Sequence, residues 1–131
     1  MIEKNPRIII QQVGIISGGK EIQVELGYEG NIYKGISITD KDEQAQMLAA
    51  IKALIMAVNS IIPTPIVTRV SEVKMVNFQD IPDPVIVTVL GIKLRGIETL
   101  FPGTAKQQGS SLLSAVRAAL DAINRPIGLV L

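Results

Sequence analysis

The chain has no cysteine, no histidine and no tryptophan among its 131 residues. Without thiols there is no disulfide, no thiolate nucleophile and no thiolate zinc site. Without imidazole, proton transfer near neutral pH falls to Asp, Glu, Lys or Tyr, whose ordinary pKa values lie far from 7. Aromatic residues make up 3%, two Tyr and two Phe. Tyr28 and Tyr33 are too few to form the base-stacking platform of a sheet-face RNA binder. Charge of one sign is also lacking. Thirteen Lys and Arg meet 12 Asp and Glu, a net charge of +1, and the basic residues are scattered from Lys4 to Arg125. Nucleic acid is therefore not an expected partner. The most apolar stretch, Leu48 to Val67, is interrupted by Lys52, Asn59, Pro63 and Pro65, which argues against a membrane span. Met1 to Pro6 lacks the basic-then-apolar order of a signal peptide, so a cytoplasmic location is expected.

What is present is aliphatic mass. Hydrophobic residues make up 47% and charged residues 19%, a balance that excludes disorder. The length fits one domain, residues 1–131, that buries roughly two thirds of its unfolded surface.

The chain also repeats itself. Ala50 to Asn59 aligns without a gap on Ala115 to Asn124, a shift of 65. Gly30 to Gly35 matches Gly91 to Gly96 at a shift of 61, and Ile9 to Val13 matches Arg69 to Val73 at a shift of 60. Three anchors in one order indicate a duplicated unit of about 60 residues, with pseudo-repeats at 7–61 and 66–125.

In the first repeat, Arg7 to Ile16 is Ile- and Val-rich and predicts a strand. Ser17-Gly18-Gly19-Lys20 predicts a hairpin turn. Ile22, Val24, Leu26 and Tyr28 alternate with polar residues, and Ile32 to Ile38 predicts a third strand with Ile32, Lys34, Ile36 and Ile38 on one side. Asp40 and Glu43 have capping-box spacing before a helix whose stripe is Met47, Leu48, Ile51, Leu54, Ile55 and Val58. Pro63 and Pro65 stop it.

The second repeat gives strands over 66–76 and from Val85, the latter matched to Val24 by the shift of 61. A third strand is expected over 92–100, then a loop at Phe101-Pro102-Gly103-Thr104. A helix over 106–124 follows, with Thr104 and Gln107 as capping box or Ser110 as the true start. Arg125-Pro126 ends it, and an apolar tail runs to Leu131. The fold class is α+β: duplicated βββα units, with antiparallel sheet and two helices packed on one face. Ile8-Ile9-Ile10 and Val85-Ile86-Val87 are apolar on both strand faces. One helix layer cannot cover both, so a homo-oligomer, most simply a dimer, is expected.

The duplicated unit, carried by the glycine pairs Gly30/Gly35 and Gly91/Gly96 and the Ala-rich helices ending in Asn59 and Asn124, resembles the C-terminal regulatory and dimerisation domain of 2-isopropylmalate synthases. It is similar also to small standalone bacterial proteins of unassigned function. The first resemblance implies dimerisation and a bound branched-chain amino acid. A catalytic barrel before the unit is not expected, so such a ligand is expected to have nothing in cis to regulate.

Ser17-Gly18-Gly19-Lys20 is not a phosphate loop, because Glu21 and a strand follow the lysine. Asp40, Asp42 and Glu43 suit a helix start, and Asp80 and Asp83 suit a turn. No residue takes a catalytic role, no metal ligands converge and no cofactor motif occurs. The corner where the second repeat departs from the first, with Gly103, Thr104, Lys106, Gly109, Ser110 and Ser111, is the candidate site for a small anionic or amino-acid-like ligand. The expected function is a non-enzymatic, homo-oligomeric binding or regulatory domain. The alternatives are a small enzyme using Asp, Glu or Lys, with Asp40 or Lys106 in play, and an adaptor that binds nucleic acid or protein through sheet edges.

Overall fold

A computed structural model describes residues 7–127. Met1 to Pro6 and the tail beyond Ile127 lie outside the described residues. The elements run β1 (Ile9–Ile16), β2 (Glu21–Tyr28), β3 (Asn31–Ile38), α1 (Glu43–Ile61), β4 (Val67–Val76), β5 (Val85–Leu94), β6 (Ile97–Lys106) and α2 (Ser111–Ile127). The strands form two separate antiparallel sheets, β1-β2-β3 and β4-β5-β6. The class is α+β, with a βββα unit used twice.

Each helix lies over the second and third strands of its own sheet, and the helices pack on each other. Each also touches the first strand of the other unit. The core is the space between: Ile22, Val24 and Leu26 from β2; Ile86, Leu90 and Ile92 from β5; Ile51, Leu54 and Val58 from α1; Val116 and Ile123 from α2, all buried. Asn59 ties the layers. Its amide donates to the Val67 carbonyl (3.0 Å) and accepts from the Val67 N–H (3.2 Å). Gln44, at the other end of α1, donates to the Val73 carbonyl at 2.6 Å.

Two glycines set how closely helix and sheet approach. A Cβ on Gly35 would overlap the Ala53 carbonyl oxygen, and one on Gly103 would overlap that of Ala118. The α1 backbone rests directly on β3, and the α2 backbone on β6. Only a residue without a side chain permits this contact. It also fixes which face of β3 is inside. Tyr33, Gly35 and Ser37 pair with Leu26, Val24 and Ile22 on the core face, so Ile32, Lys34, Ile36 and Ile38 point outward.

Several expectations need correction. Gly30 and Gly96, both with positive φ, occupy the β2–β3 and β5–β6 turns, a shift of 66. Gly35 and Gly91 lie within strands. The shift of 61 therefore pairs the wrong glycines. It also matches the inward Val24 and Leu26 with Val85 and Val87, which lie on the face opposite the buried Ile86, Thr88 and Leu90. An odd error in register exchanges the two faces of a strand. Phe101 to Thr104 is no loop but part of β6, where Pro102 pairs with Val89 in an edge strand, a position that tolerates a missing N–H. The extra residues of the second unit lengthen β5 and β6, each 10 residues against 8 in β2 and β3.

The helix starts shift too. Asp42, not Asp40, caps α1, its carboxylate accepting from the Ala45 N–H at 2.8 Å. Ser110 caps α2, its hydroxyl oxygen accepting from Leu112 and Leu113 N–H groups. Thr104 lies in β6 and forms no capping box. Pro126 sits inside the last turn of α2 rather than ending it, where loss of one hydrogen bond is tolerated.

Candidate functional site

The six residues singled out at the second unit's corner are split between elements. Gly103, Thr104 and Lys106 belong to β6, Gly109 to the connection, and Ser110 and Ser111 to the start of α2. The polar groups of Thr104 and Ser110 serve the fold. Gly103 is the helix seat described above. The Thr104 N–H donates to the Asp121 carboxylate at 3.0 Å. Ser110 satisfies two of the free N–H groups of α2, and Gln107 donates to the Gly109 carbonyl at 3.1 Å. The buried Ser114 closes the corner. Its hydroxyl accepts from the Gln108 N–H (3.1 Å) and donates to the Ser110 carbonyl (3.0 Å). The backbone N–H groups of Thr104, Gln108, Leu112 and Leu113 are thus already engaged.

The first unit is open at the matching place. At the helix shift of 65, Ala49 stands where Ser114 stands in α2, and no hydroxyl pins the connection. A shallow cleft of about 200 Å³ lies between the end of β3 and α1, lined by Ile38, Thr39, Asp40, Ala45, Leu48, Ala49 and Lys52. This is below the roughly 300–1,000 Å³ of sites for drug-sized molecules, so only a small ligand fits. Its polar groups are one ammonium (Lys52), one carboxylate (Asp40) and one hydroxyl (Thr39). The floor is aliphatic. A cleft of this kind offers a small molecule one positive and one negative side chain. Sequence reasoning assigned Asp40 to a cap and passed over Lys52. The usable signal was the Ala49 to Ser114 difference between repeats.

One charged cluster lies elsewhere. On the outer face of the second sheet, Arg69 donates to Glu98 through Nε (3.2 Å) and Nη2 (3.1 Å), and the Thr68 hydroxyl lies 2.6 Å from the same carboxylate. The Thr68 hydrogen bond and the Arg69 guanidinium hold the Glu98 carboxyl below its ordinary value. The neighbours are exposed and the cluster encloses no space, so it is a surface tie across β4, β5 and β6. Among the described residues no group of three or more Asp or Glu converges in a metal-binding arrangement.

The outer face of the first sheet differs. Ile9 on β1 and Ile32 on β3 flank Gly27 on β2, with Ile36 and Ile38 further along. These side chains are exposed, Ile9 at 57%, Ile32 at 61% and Ile38 at 82%. Between them the same face carries Gln23 and the Glu25–Lys34 pair, 3.6 Å apart.

Comparison with models of known protein families and with curated proteins found no match.

Proposed function

We propose that this protein is a non-enzymatic, homo-oligomeric domain that binds a small charged ligand and serves a regulatory role. The observation that carries the oligomer is the exposed isoleucine face of the first sheet. Leaving four isoleucines in water forgoes about 1.5–3 kcal/mol for each one that a partner could fully bury. The ligand reading is supported by the cleft beside Lys52 and Asp40, where opposite charges stand over an aliphatic floor. It agrees with the resemblance to a regulatory, dimerising domain. The non-enzymatic reading rests on the residue set: no His and no Cys.

Sedimentation velocity over a wide concentration range tests the oligomer. The expected species has twice the 14.1 kDa chain mass. A monomer at the highest concentration would overturn this part. A thermal-shift screen with amino acids and inorganic phosphate tests the ligand part, because a molecule that binds only the native state raises the Tm. The shift should vanish in Lys52→Ala. A shift that persists there places the ligand elsewhere.

A further inference from the structure

The two units end their sheets differently. In a two-residue hairpin the residues flanking the turn bond to each other, and alternate residues then direct N–H and C=O to the free edge. The turns at Glu29-Gly30 and Arg95-Gly96 make those edge positions Ile32, Lys34, Ile36 and Ile38 on β3, and Glu98, Leu100, Pro102, Thr104 and Lys106 on β6. The Thr104 N–H confirms the assignment, because it reaches Asp121 on α2 rather than a strand.

The β6 edge is closed in two ways. Pro102 has no N–H to offer, and Asp121 occupies that of Thr104. Both are devices that keep an edge from pairing with another chain. Aligned on Gly35 and Gly103, the β3 residues at these places are Lys34, which keeps its backbone N–H and whose ammonium is held by Glu25 of β2 at 3.6 Å, and Ile36. At the helix shift of 65, Met56 replaces Asp121. Met56 supplies no acceptor, and its side chain is 52% exposed. Among the described residues no strand pairs with β3 on that side. The outward stripe of α1 beside this edge is Leu48, Lys52 and Met56. Its counterpart on α2 is Leu113, Arg117 and Asp121, so the first unit's stripe has lost one charge and gained a thioether.

We propose that β3 and α1 form the docking edge for a second copy of this chain, β3 pairing antiparallel with β3 of the partner subunit to make one six-stranded sheet. This rests on the homo-oligomer reading above and names its surface. The edge is self-complementary. With the two-fold axis at Gly35, Ile32 faces Ile38 of the partner subunit, and Lys34 faces Ile36 of the partner subunit. An axis at Lys34 would instead oppose two like charges. Since α1 rests on β3 and reaches over β2, this pairing sets the two α1 helices side by side, their Leu48, Lys52 and Met56 stripes facing each other. The strip is about 26 Å long and about 20 Å deep, which gives on the order of 1,000 Å² over both chains, the lower bound for a stable interface. The isoleucines of the two sheets then lie on one face, with the Glu25–Lys34 pair of each chain between them.

The test copies the second unit's edge into the first. Lys34→Pro reproduces Pro102, and Met56→Asp reproduces Asp121. Sedimentation equilibrium should show each weakening dimerisation at least tenfold, with an unchanged far-UV circular dichroism spectrum. If Lys34→Pro fails to fold, Met56→Asp, an exposed helix substitution, carries the test alone. Ile9→Glu, on the outer face and far from the edge, separates the two ideas. A dimer that survives Lys34→Pro and Met56→Asp but dissociates in Ile9→Glu overturns edge pairing while leaving the homo-oligomer intact. A monomeric wild-type chain overturns both.

Discussion

The first and second βββα units share element order, helix seat and turn placement, yet they present different surfaces. The outer face of the first sheet carries Ile9, Ile32, Ile36 and Ile38 beside Gln23 and the Glu25–Lys34 pair. The second carries Val85, Val87, Val89 and the exposed Leu100 beside the Arg69–Glu98 pair, Lys93 and a Lys74–Glu72 contact at 3.4 Å. The third strand of the first unit has an open edge, and that of the second is blocked by Pro102 and Asp121. The corner before α1 is a cleft, and the corner before α2 is sealed by Ser114. Within one chain, the same scaffold has one third-strand edge blocked and one open, and one helix corner tied by a serine and one not. The lesson is that a repeat's departures from itself show which parts of the unit the fold leaves free to vary.

The comparison can be broken or sharpened by mutation. The largest effect is expected where the units agree. Gly35→Ala and Gly103→Ala each force a methyl group into a helix backbone, and overpacking of this kind costs about 3 kcal/mol. Chemical denaturation should show losses of similar size at both sites. If only one is sensitive, the helix seats are not equivalent. Next comes the sealed corner. Ser114→Ala leaves the Gln108 N–H without its acceptor and should cost about 1–2 kcal/mol and raise amide exchange at Gln108, whereas Ala49→Gly in the first unit removes no hydrogen bond and loses helix propensity and one buried methyl, about 1–2 kcal/mol, without that exchange signature. Equal losses with no change in amide exchange at Gln108 would show that Ser114 does not pin the corner. The helix caps should be closer to one another: Asp42→Ala and Ser110→Ala at about 1 kcal/mol each.

The smallest effect belongs to Glu98. Its carboxyl titrates below the ordinary value of 4.5 because Thr68 and Arg69 favour the charged form. A group with a depressed folded-state pKa stabilises the fold above its unfolded value. That contribution fades as pH falls through the folded one. Glu98→Gln should therefore lower the Tm slightly at pH 7 and leave it level with the parent at pH 2. A gap that widens on acidification would contradict the assignment.

Much of this was legible beforehand. The alternation of Ile22, Val24 and Leu26, the glycines after Ile16 and the helical stripe from Met47 to Val58 each report local geometry, and each produced the expected element. The gap-free match of Ala50–Asn59 to Ala115–Asn124 gave the helix equivalence, because both helices seat the same alanines on a glycine. The strand register was less legible. Odd and even residues of β3 separate cleanly, but a period of two does not say which set is inside. The apolar set is the outer one. The candidate ligand corner is where the repeat shift drifts from 61 to 65, but the two connections, 39–42 and 107–110, are equally long, and the drift came from the wrong strand register. Ser110 bonds to its own helix, and the cleft lies at the matching place in the other unit.

The sequence by itself determined the βββα order, its duplication, the turn positions and the exclusion of thiol and imidazole chemistry, since these depend on residue type and near-neighbour spacing. The tertiary structure alone decided that Gly35 and Gly103 admit a helix backbone, that four isoleucines consequently face outward, and that one sheet edge is capped while its twin is open. Those outcomes depend on contacts between residues 15 or more positions apart, such as Gly103 with Ala118 and Thr104 with Asp121, and local periodicity carries no information about them.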